Sequence, residues 1–138
     1  MSQKTILIVD DDPDVRLGLH VRLKANHYNV IFAPDGMASI AEARKHIPDL
    51  IILDLGLPAG DGFSVMERLK ANDSLSLIPV IVVSARDREA NMDRALKAGA
   101  KAFLQKPVAN AELLAVIRKV LGEPGLPEKA VVHDLGSL

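Results

Sequence analysis

Four aliphatic residues, Ile6–Val9, run directly into three adjacent carboxylates, Asp10, Asp11 and Asp12. Like charges held that close repel by roughly 4 kcal/mol per pair near a protein surface. Something must offset that repulsion. Further chemistry-bearing residues follow other apolar runs: Asp54 after Leu50–Leu53, Ser84 after Val80–Val83, and Lys106 with Pro107 after Ala102–Leu104. Three carboxylates (Asp10, Asp11 and Asp54), a hydroxyl and an ammonium on one edge of a sheet form a definite chemical set. Hard oxygen donors of that kind suit Mg²⁺ bound through few carboxylates and several waters. The metal offsets the carboxylate repulsion. The remaining hydroxyl and ammonium suit a phosphoryl group.

Such convergence requires a fold that brings strand ends together. Five short apolar runs are spaced along the chain: Ile6–Val9, Val30–Ala33, Leu50–Leu53, Val80–Val83 and Ala102–Leu104. Several are continuous rather than alternating, as expected of strands buried on both faces. Segments with helical spacing separate them. Val15, Leu19 and Leu23 mark the first, and Met37, Ile40, Ala41 and Arg44 the second. Phe63, Met66, Leu69 and Lys70 trace the third, Met92, Ala95 and Leu96 the fourth, and Leu113, Ile117, Val120 and Leu121 the fifth. This rhythm predicts an α/β fold built from βαβ units around a parallel sheet. In open sheets of that kind ligands bind beyond the carboxyl ends of the strands, where the acids, Ser84 and Lys106 lie.

The punctuation agrees. Asp12-Pro13 reads as a helix cap followed by proline at the first helical position. Gly99 and Gly122 stand where the fourth and fifth helices should stop. Two prolines and two glycines within Gly122–Pro127 mark a boundary. Residues 1–122 are therefore expected to form one domain, and 123–138 a linker or C-terminal tail.

Bulk properties narrow the function. The chain has 138 residues, a formal charge of −1, no cysteine and four aromatic residues, Tyr28, Phe32, Phe63 and Phe103. No thiolate metal site or disulfide can form. Without a dense Lys/Arg tract or stacking aromatics, direct nucleic-acid binding is not expected. No apolar run is long enough to span a bilayer, and the expected location is the cytoplasm.

Four motifs occur in order: the Asp10-Asp11 pair, "LDLGLPAGDG" around Asp54, "VVSA" ending in Ser84-Ala85, and "FLQKP" ending in Lys106-Pro107. The steps from Asp11 to Asp54, Asp54 to Ser84 and Ser84 to Lys106 are 43, 30 and 22 residues. With these motifs the chain resembles a response-regulator receiver domain, the phosphoacceptor module of two-component signalling, over residues 4 to about 121. The resemblance implies a five-stranded (βα)₅ flavodoxin-like sheet in strand order 2-1-3-4-5, with helices on both faces. It implies a switch, not an enzyme proper, that phosphorylates itself from a histidine kinase, a histidine phosphotransfer protein or a small phosphodonor. The product is slowly hydrolysed.

The resemblance also assigns roles. Asp54 matches the phosphoacceptor, Asp11 a direct Mg²⁺ ligand and Asp10 the acid that helps hold the metal, for which Mn²⁺ can substitute. Gly56 matches the position whose backbone carbonyl completes the metal shell. Ser84 matches the switch hydroxyl, Lys106 the cation on the phosphoryl oxygens, Phe103 the aromatic switch, and Pro107 a proline preceded by a cis peptide. Arg86 flanks the phosphoryl group. The output surface is expected around the fourth helix, fifth strand and fifth helix, facing a downstream protein or effector domain. Three positions depart from the common pattern. Leu57 replaces a methionine, Phe103 a tyrosine, and Lys101 an acid used in the dimer interface of winged-helix regulators.

Plainer readings stand beside these. Asp12 reads as a cap only, Asp61-Gly62 as a turn, and Phe103 as core as well as switch. Helix one carries a second apolar stripe, Leu17 and Val21, which neighbouring helices cover or which docks a kinase. The segment "VVHDLGSL" bears a faint likeness to a phosphorylatable-histidine helix, and His133 is given no role. Two other functions compete: a receiver-like module that binds partners without phosphorylation, and a haloacid-dehalogenase-like phosphatase with an aspartyl nucleophile. The phosphatase fits less well, because the acceptor lies after the third strand and 138 residues leave no room for a cap domain.

Overall fold

Along β1 (Thr5–Val9) the side chains of Leu7 and Val9 enter one layer and those of Ile6 and Ile8 the other. A strand buried on both faces needs apolar residues at every position, which is why the run is continuous. The computed structural model describes residues 3–58 and 61–123. From β1 the chain passes through α1 (Pro13–Ala25), β2 (Asn29–Ala33), α2 (Gly36–His46), β3 (Leu50–Leu53) and α3 (Gly62–Lys70). It continues through β4 (Val80–Ser84), α4 (Arg88–Lys97), β5 (Ala102–Gln105) and α5 (Asn110–Leu121). All strand pairs are parallel, in the order β2-β1-β3-β4-β5. The α/β architecture and strand order match the sequence-based expectation.

The sheet divides two cores. On one side Leu7, Val9, Ile51, Leu53, Val82 and Phe103 pack with residues of α2, α3 and α4. On the other Ile6, Ile8, Ile52, Ile81, Val83 and Leu104 pack with Leu19 and Leu23 of α1 and Leu113 and Ile117 of α5. Each fully buried large aliphatic side chain contributes about 1.5–3 kcal/mol.

Helix starts are fixed by carboxylates. Asp12, Asp35, Asp61 and Asp87 cap α1, α2, α3 and α4, each accepting from a backbone N–H of the first turn. Ala109 stands at the N-cap of α5 and supplies no side-chain cap. Gly99 (φ 111°) follows α4 and Gly122 (φ 69°) caps α5 in left-handed conformations that glycine adopts without strain.

One helix face differs from expectation, and the structure decides between two readings of another. α2 buries Gly36, Ser39, Ile40 and Ala43, while Met37 is 68% exposed and Ala41 and Arg44 lie outside. Small residues let α2 lie close to the sheet, and their size hid them from a search for large apolar side chains. In α1 the Leu17 and Val21 stripe is 62% and 59% exposed, so no helix among the described residues covers it.

At the end of α5 the chain is tied down. The Tyr28 hydroxyl donates to Glu123 at 2.6 Å, and the Glu123 N–H donates to the Arg118 carbonyl at 2.9 Å. Glu123, read from sequence as the first residue of the tail, thus touches the body of the domain. Burial and this bond push the Tyr28 hydroxyl up to about 12. His133 lies outside the described residues.

Candidate functional site

Register places the acids. Val9 of β1 pairs with Leu53 of β3, and the Asp54 N–H donates to the Val9 carbonyl at 2.9 Å. Asp10 and Asp54 therefore leave adjacent strands side by side. Ser84 ends β4 opposite Gln105 of β5, and the Lys106 N–H donates to the Ser84 carbonyl at 2.8 Å. Parallel pairing alone brings β1, β3, β4 and β5 to the same edge with these residues at their ends.

Asp10 is 3% and Asp54 8% exposed, whereas Asp11 is exposed. Burying carboxylates is costly unless they are paired. Lys106 supplies the pairing: its Nζ lies 2.8 Å from Asp10 Oδ2 and 3.5 Å from Asp54 Oδ2. Burial alone would push the Lys106 ammonium down, but its bond to Asp10 and the charges of Asp54 and Asp10 outweigh burial and raise it. Asp10 Oδ1 accepts from the Asp12 N–H at 2.9 Å, and Asp54 Oδ1 from the Gly56 N–H at 3.2 Å. Asp10, Asp11 and Asp54 each offer one oxygen, all within 4.8 Å of one another. Three formal negative charges face one ammonium, leaving −2, which a divalent cation would cancel. The donors are hard oxygens, so the residues fit Mg²⁺.

Ser84 and Phe103, expected from sequence to act as a switch, are both buried. Ser84 is 1% exposed, and its Oγ accepts from the Arg86 N–H at 3.2 Å. A hydroxyl that accepts through oxygen keeps its proton free to donate. Phe103 is already in the core at 4% exposure. The Lys106-Pro107 peptide is cis, Leu57 is buried, and Lys101 is exposed. Beside Lys106 a groove of about 540 Å³ opens between α1 and α5, lined by Val15, Leu19, Val83, Pro107 and Leu113 among others.

The Response regulator receiver domain family model matches residues 6–118. The chain belongs to this family. It is a receiver domain of two-component signalling. The Caulobacter vibrioides response regulator PleD is 39% identical over 120 residues, covering 87% of this chain and 26% of PleD. The Escherichia coli KDP operon regulator KdpE is 41% identical over 116 residues, covering 84% of this chain and 50% of KdpE. The receiver domain thus spans from a quarter to about half the length of these curated relatives. A solved response regulator from Chloroflexus aurantiacus matches with TM-score 0.83 at 30% identity, over 88% of this chain and all of the other. The receiver domain of a Pseudomonas aeruginosa sensor histidine kinase, with a magnesium ion in its active-site cleft, matches with TM-score 0.81 at 27% identity. That match spans 88% of this chain and 100% of the other. The fold is the flavodoxin-like type of these chemotaxis-regulator-like domains. Receiver domains are signalling modules that work with histidine kinases and effector domains, and they bind Mg²⁺ at an acidic pocket. Membership in this family leaves the dehalogenase-like alternative without support. Among the described residues no helix is long and apolar enough to cross a membrane.

Sequence reasoning missed three contributors to this receiver site. Arg16 Nη1 donates to the Asp10 carbonyl at 2.7 Å, bracing the first acidic loop from α1. Gly62, read as a turn residue, lies against the Asp54 backbone: a Cβ there would fall 2.7 Å from the Asp54 carbonyl oxygen and 2.8 Å from Leu55 Cα. Asp61 is more than a turn residue, since its Oδ2 faces Arg86 Nη1 at 4.0 Å. Only a cation at position 86 and an acid at 61 signalled that pair, and nothing in their spacing did.

Proposed function

We propose that this receiver accepts a phosphoryl group on Asp54 and uses it to reshape the surface around α4, β5 and α5. The observation that carries the reading is the buried Asp54 carboxylate beside Asp10, with Lys106 Nζ reaching both. Mg²⁺, with Mn²⁺ as a substitute, would be held by Asp10, Asp11, Asp54 and the Gly56 carbonyl. When bound it neutralises the acids that otherwise repel the incoming group.

The chain's own residues do the rest. Asp54 Oδ attacks phosphorus of a phosphohistidine or small phosphodonor, and the donor leaves with the electron pair of the broken bond. Lys106, kept charged by Asp10, moves toward the phosphoryl oxygens as charge builds there. Ser84 donates its proton to another of them, a charge-assisted bond. Positioning and charge neutralisation supply the catalysis, as phosphoryl transfer requires. The exposed Leu17 and Val21 stripe, with the groove between α1 and α5, is the kinase-facing side, since isolated apolar patches of this kind mark interaction sites. The output partner is a protein or effector domain, nucleic acid is not contacted directly, and the reading places these events in the cytoplasm.

Incubation with acetyl phosphate and Mg²⁺ should add one phosphoryl mass to the intact protein, seen by mass spectrometry. Asp54→Ala or chelation of the metal should abolish the gain. Labelling that survives Asp54→Ala would move the acceptor elsewhere. A wild-type protein that takes no phosphoryl group yet binds its partner would favour the phosphorylation-independent alternative.

A further inference from the structure

In the loops that follow Asp54 and Ser84 two opposite charges face each other. Asp61 uses Oδ1 for the cap of α3, accepting from the N–H groups of Phe63 at 2.9 Å and Ser64 at 3.2 Å. Its Oδ2 is turned to Arg86 Nη1 at 4.0 Å. The cap fixes the carboxylate. Gly62, pressed on the Asp54 carbonyl and donating its N–H to the Leu55 carbonyl at 3.0 Å, ties the first turn of α3 to the acceptor's own backbone. Asp61 therefore keeps its place relative to Asp54.

Arg86 is held differently. Its backbone N–H is anchored on Ser84 Oγ, but its side chain is 38% exposed and its pair with Asp61 sits at the outer limit of an ion pair. Exposed pairs of that length hold weakly. With one oxygen given to the cap, Asp61 offers the guanidinium a single acceptor. A phosphoryl group offers two or three, and guanidinium binds such groups in a bidentate fork.

We propose that Asp61 is a positioning residue that competes with the phosphoryl group on Asp54 for the Arg86 guanidinium, and so sets the lifetime of the aspartyl phosphate. The inference rests on the reading of Asp54 as the acceptor. In hydrolysis a water oxygen bonds to phosphorus while the bond from phosphorus to the Asp54 oxygen breaks. The electron pair returns to the carboxylate, and the protons of the water leave with inorganic phosphate and solvent. A guanidinium forked onto the phosphoryl oxygens crowds the approach of that water. The same guanidinium drawn to Asp61 leaves the approach open.

The test measures decay of the phosphorylated protein by intact mass after acetyl phosphate is removed. Asp61→Asn keeps an oxygen for the cap and loses the charge; it should lengthen the lifetime about two- to fivefold, the range an exposed ion pair supports. Asp61→Ser, another capping residue, should do the same. Arg86→Ala should shorten the lifetime, and the Asp61→Asn, Arg86→Ala double variant should decay like Arg86→Ala alone. A purely structural role for Asp61 would not depend on Arg86. An unchanged or shorter lifetime in both Asp61 variants, or a double variant as long-lived as Asp61→Asn, overturns the proposal. A wild-type protein that gains no phosphoryl mass overturns the Asp54 reading instead, and the competition with it.

Discussion

α3 and α4 lie on the same face of the sheet, yet the chain holds them very differently. α3 buries Gly62, Phe63, Val65, Met66 and Leu69 within nine residues. α4 buries only Ala95 within ten, and its Leu96 is 42% exposed. Four large buried anchors against one methyl group and the partly buried Met92 is a difference of about a few kcal/mol in local stability. The firmly held helix is the one whose first turn rests on the backbone of Asp54. The lightly held helix follows Ser84. Elements that must shift are drawn from the low-stability end of a structure, and elements that must hold geometry are not. On the proposed function, the firmly held helix keeps Asp54 in place and the lightly held one reports its state.

Truncating one anchor in each helix breaks the comparison most directly. Phe63→Ala should cost about 3–5 kcal/mol in urea unfolding, because it empties a buried aromatic site. Leu96→Ala, at a largely exposed position, should stay within about 0.5 kcal/mol. The check is the shift in unfolding midpoint at constant denaturant slope. Similar losses at both positions would mean that the two helices are equally integral to the fold, and the division of labour would fail.

A functional version of the same contrast turns on Ser84. A hydrogen bond from its hydroxyl to a charged phosphoryl oxygen is worth about 1.5–3 kcal/mol. That is enough to favour one pre-existing arrangement of a loosely packed helix over another. Beryllofluoride bound at Asp54 should shift amide resonances across residues 84–105 and leave α3 beyond its first turn nearly unchanged. Ser84→Ala should still be phosphorylated at Asp54 while losing most of the shift. Because Phe103 is already buried, the change centres on α4 and does not require this ring to enter the core. Full wild-type shifts in Ser84→Ala would route the coupling elsewhere.

The order of chemistry-bearing residues was legible because parallel strands deliver their ends to one edge, so Asp10, Asp54, Ser84 and Lys106 could be read as neighbours from sequence. The light hold on α4 was legible too, from its poverty of large apolar residues. Other features were not. The buried face of α2 consists mainly of Gly36, Ser39 and Ala43, whose contribution is closeness of approach rather than apolar bulk. Gly62 meets Asp54 from eight residues further along the chain, a contact that no local pattern encodes. Arg16 drew no reading from sequence, and Arg86 was read only as flanking the phosphoryl group; their partners, the Asp10 carbonyl and Asp61, came with the fold. Charged side chains carry no periodic signal, so their partners emerge only with tertiary structure.

Arg94 belongs to the same class and gives the smallest and sharpest test. Its guanidinium carbon lies 3.7 Å above the Phe63 ring centroid, so a residue of the loose helix rests on an anchor of the firm one. Arg94 is exposed on its outer side, and a cation over a ring at such a site contributes about 0.5–1 kcal/mol. That is minor for the whole domain but large for a helix that buries one alanine. Arg94→Gln should therefore leave the global unfolding midpoint almost unchanged while amide hydrogen exchange along α4 quickens about two- to fivefold, the factor that 0.5–1 kcal/mol of local opening represents. Exchange in α3 should not change, since its buried side chains remain. If α3 and α4 quicken together, the two helices open as one unit and the ring contact is a joint within it. If only α4 responds, Arg94 is the adjustable link between the helix that holds the acceptor and the helix that moves.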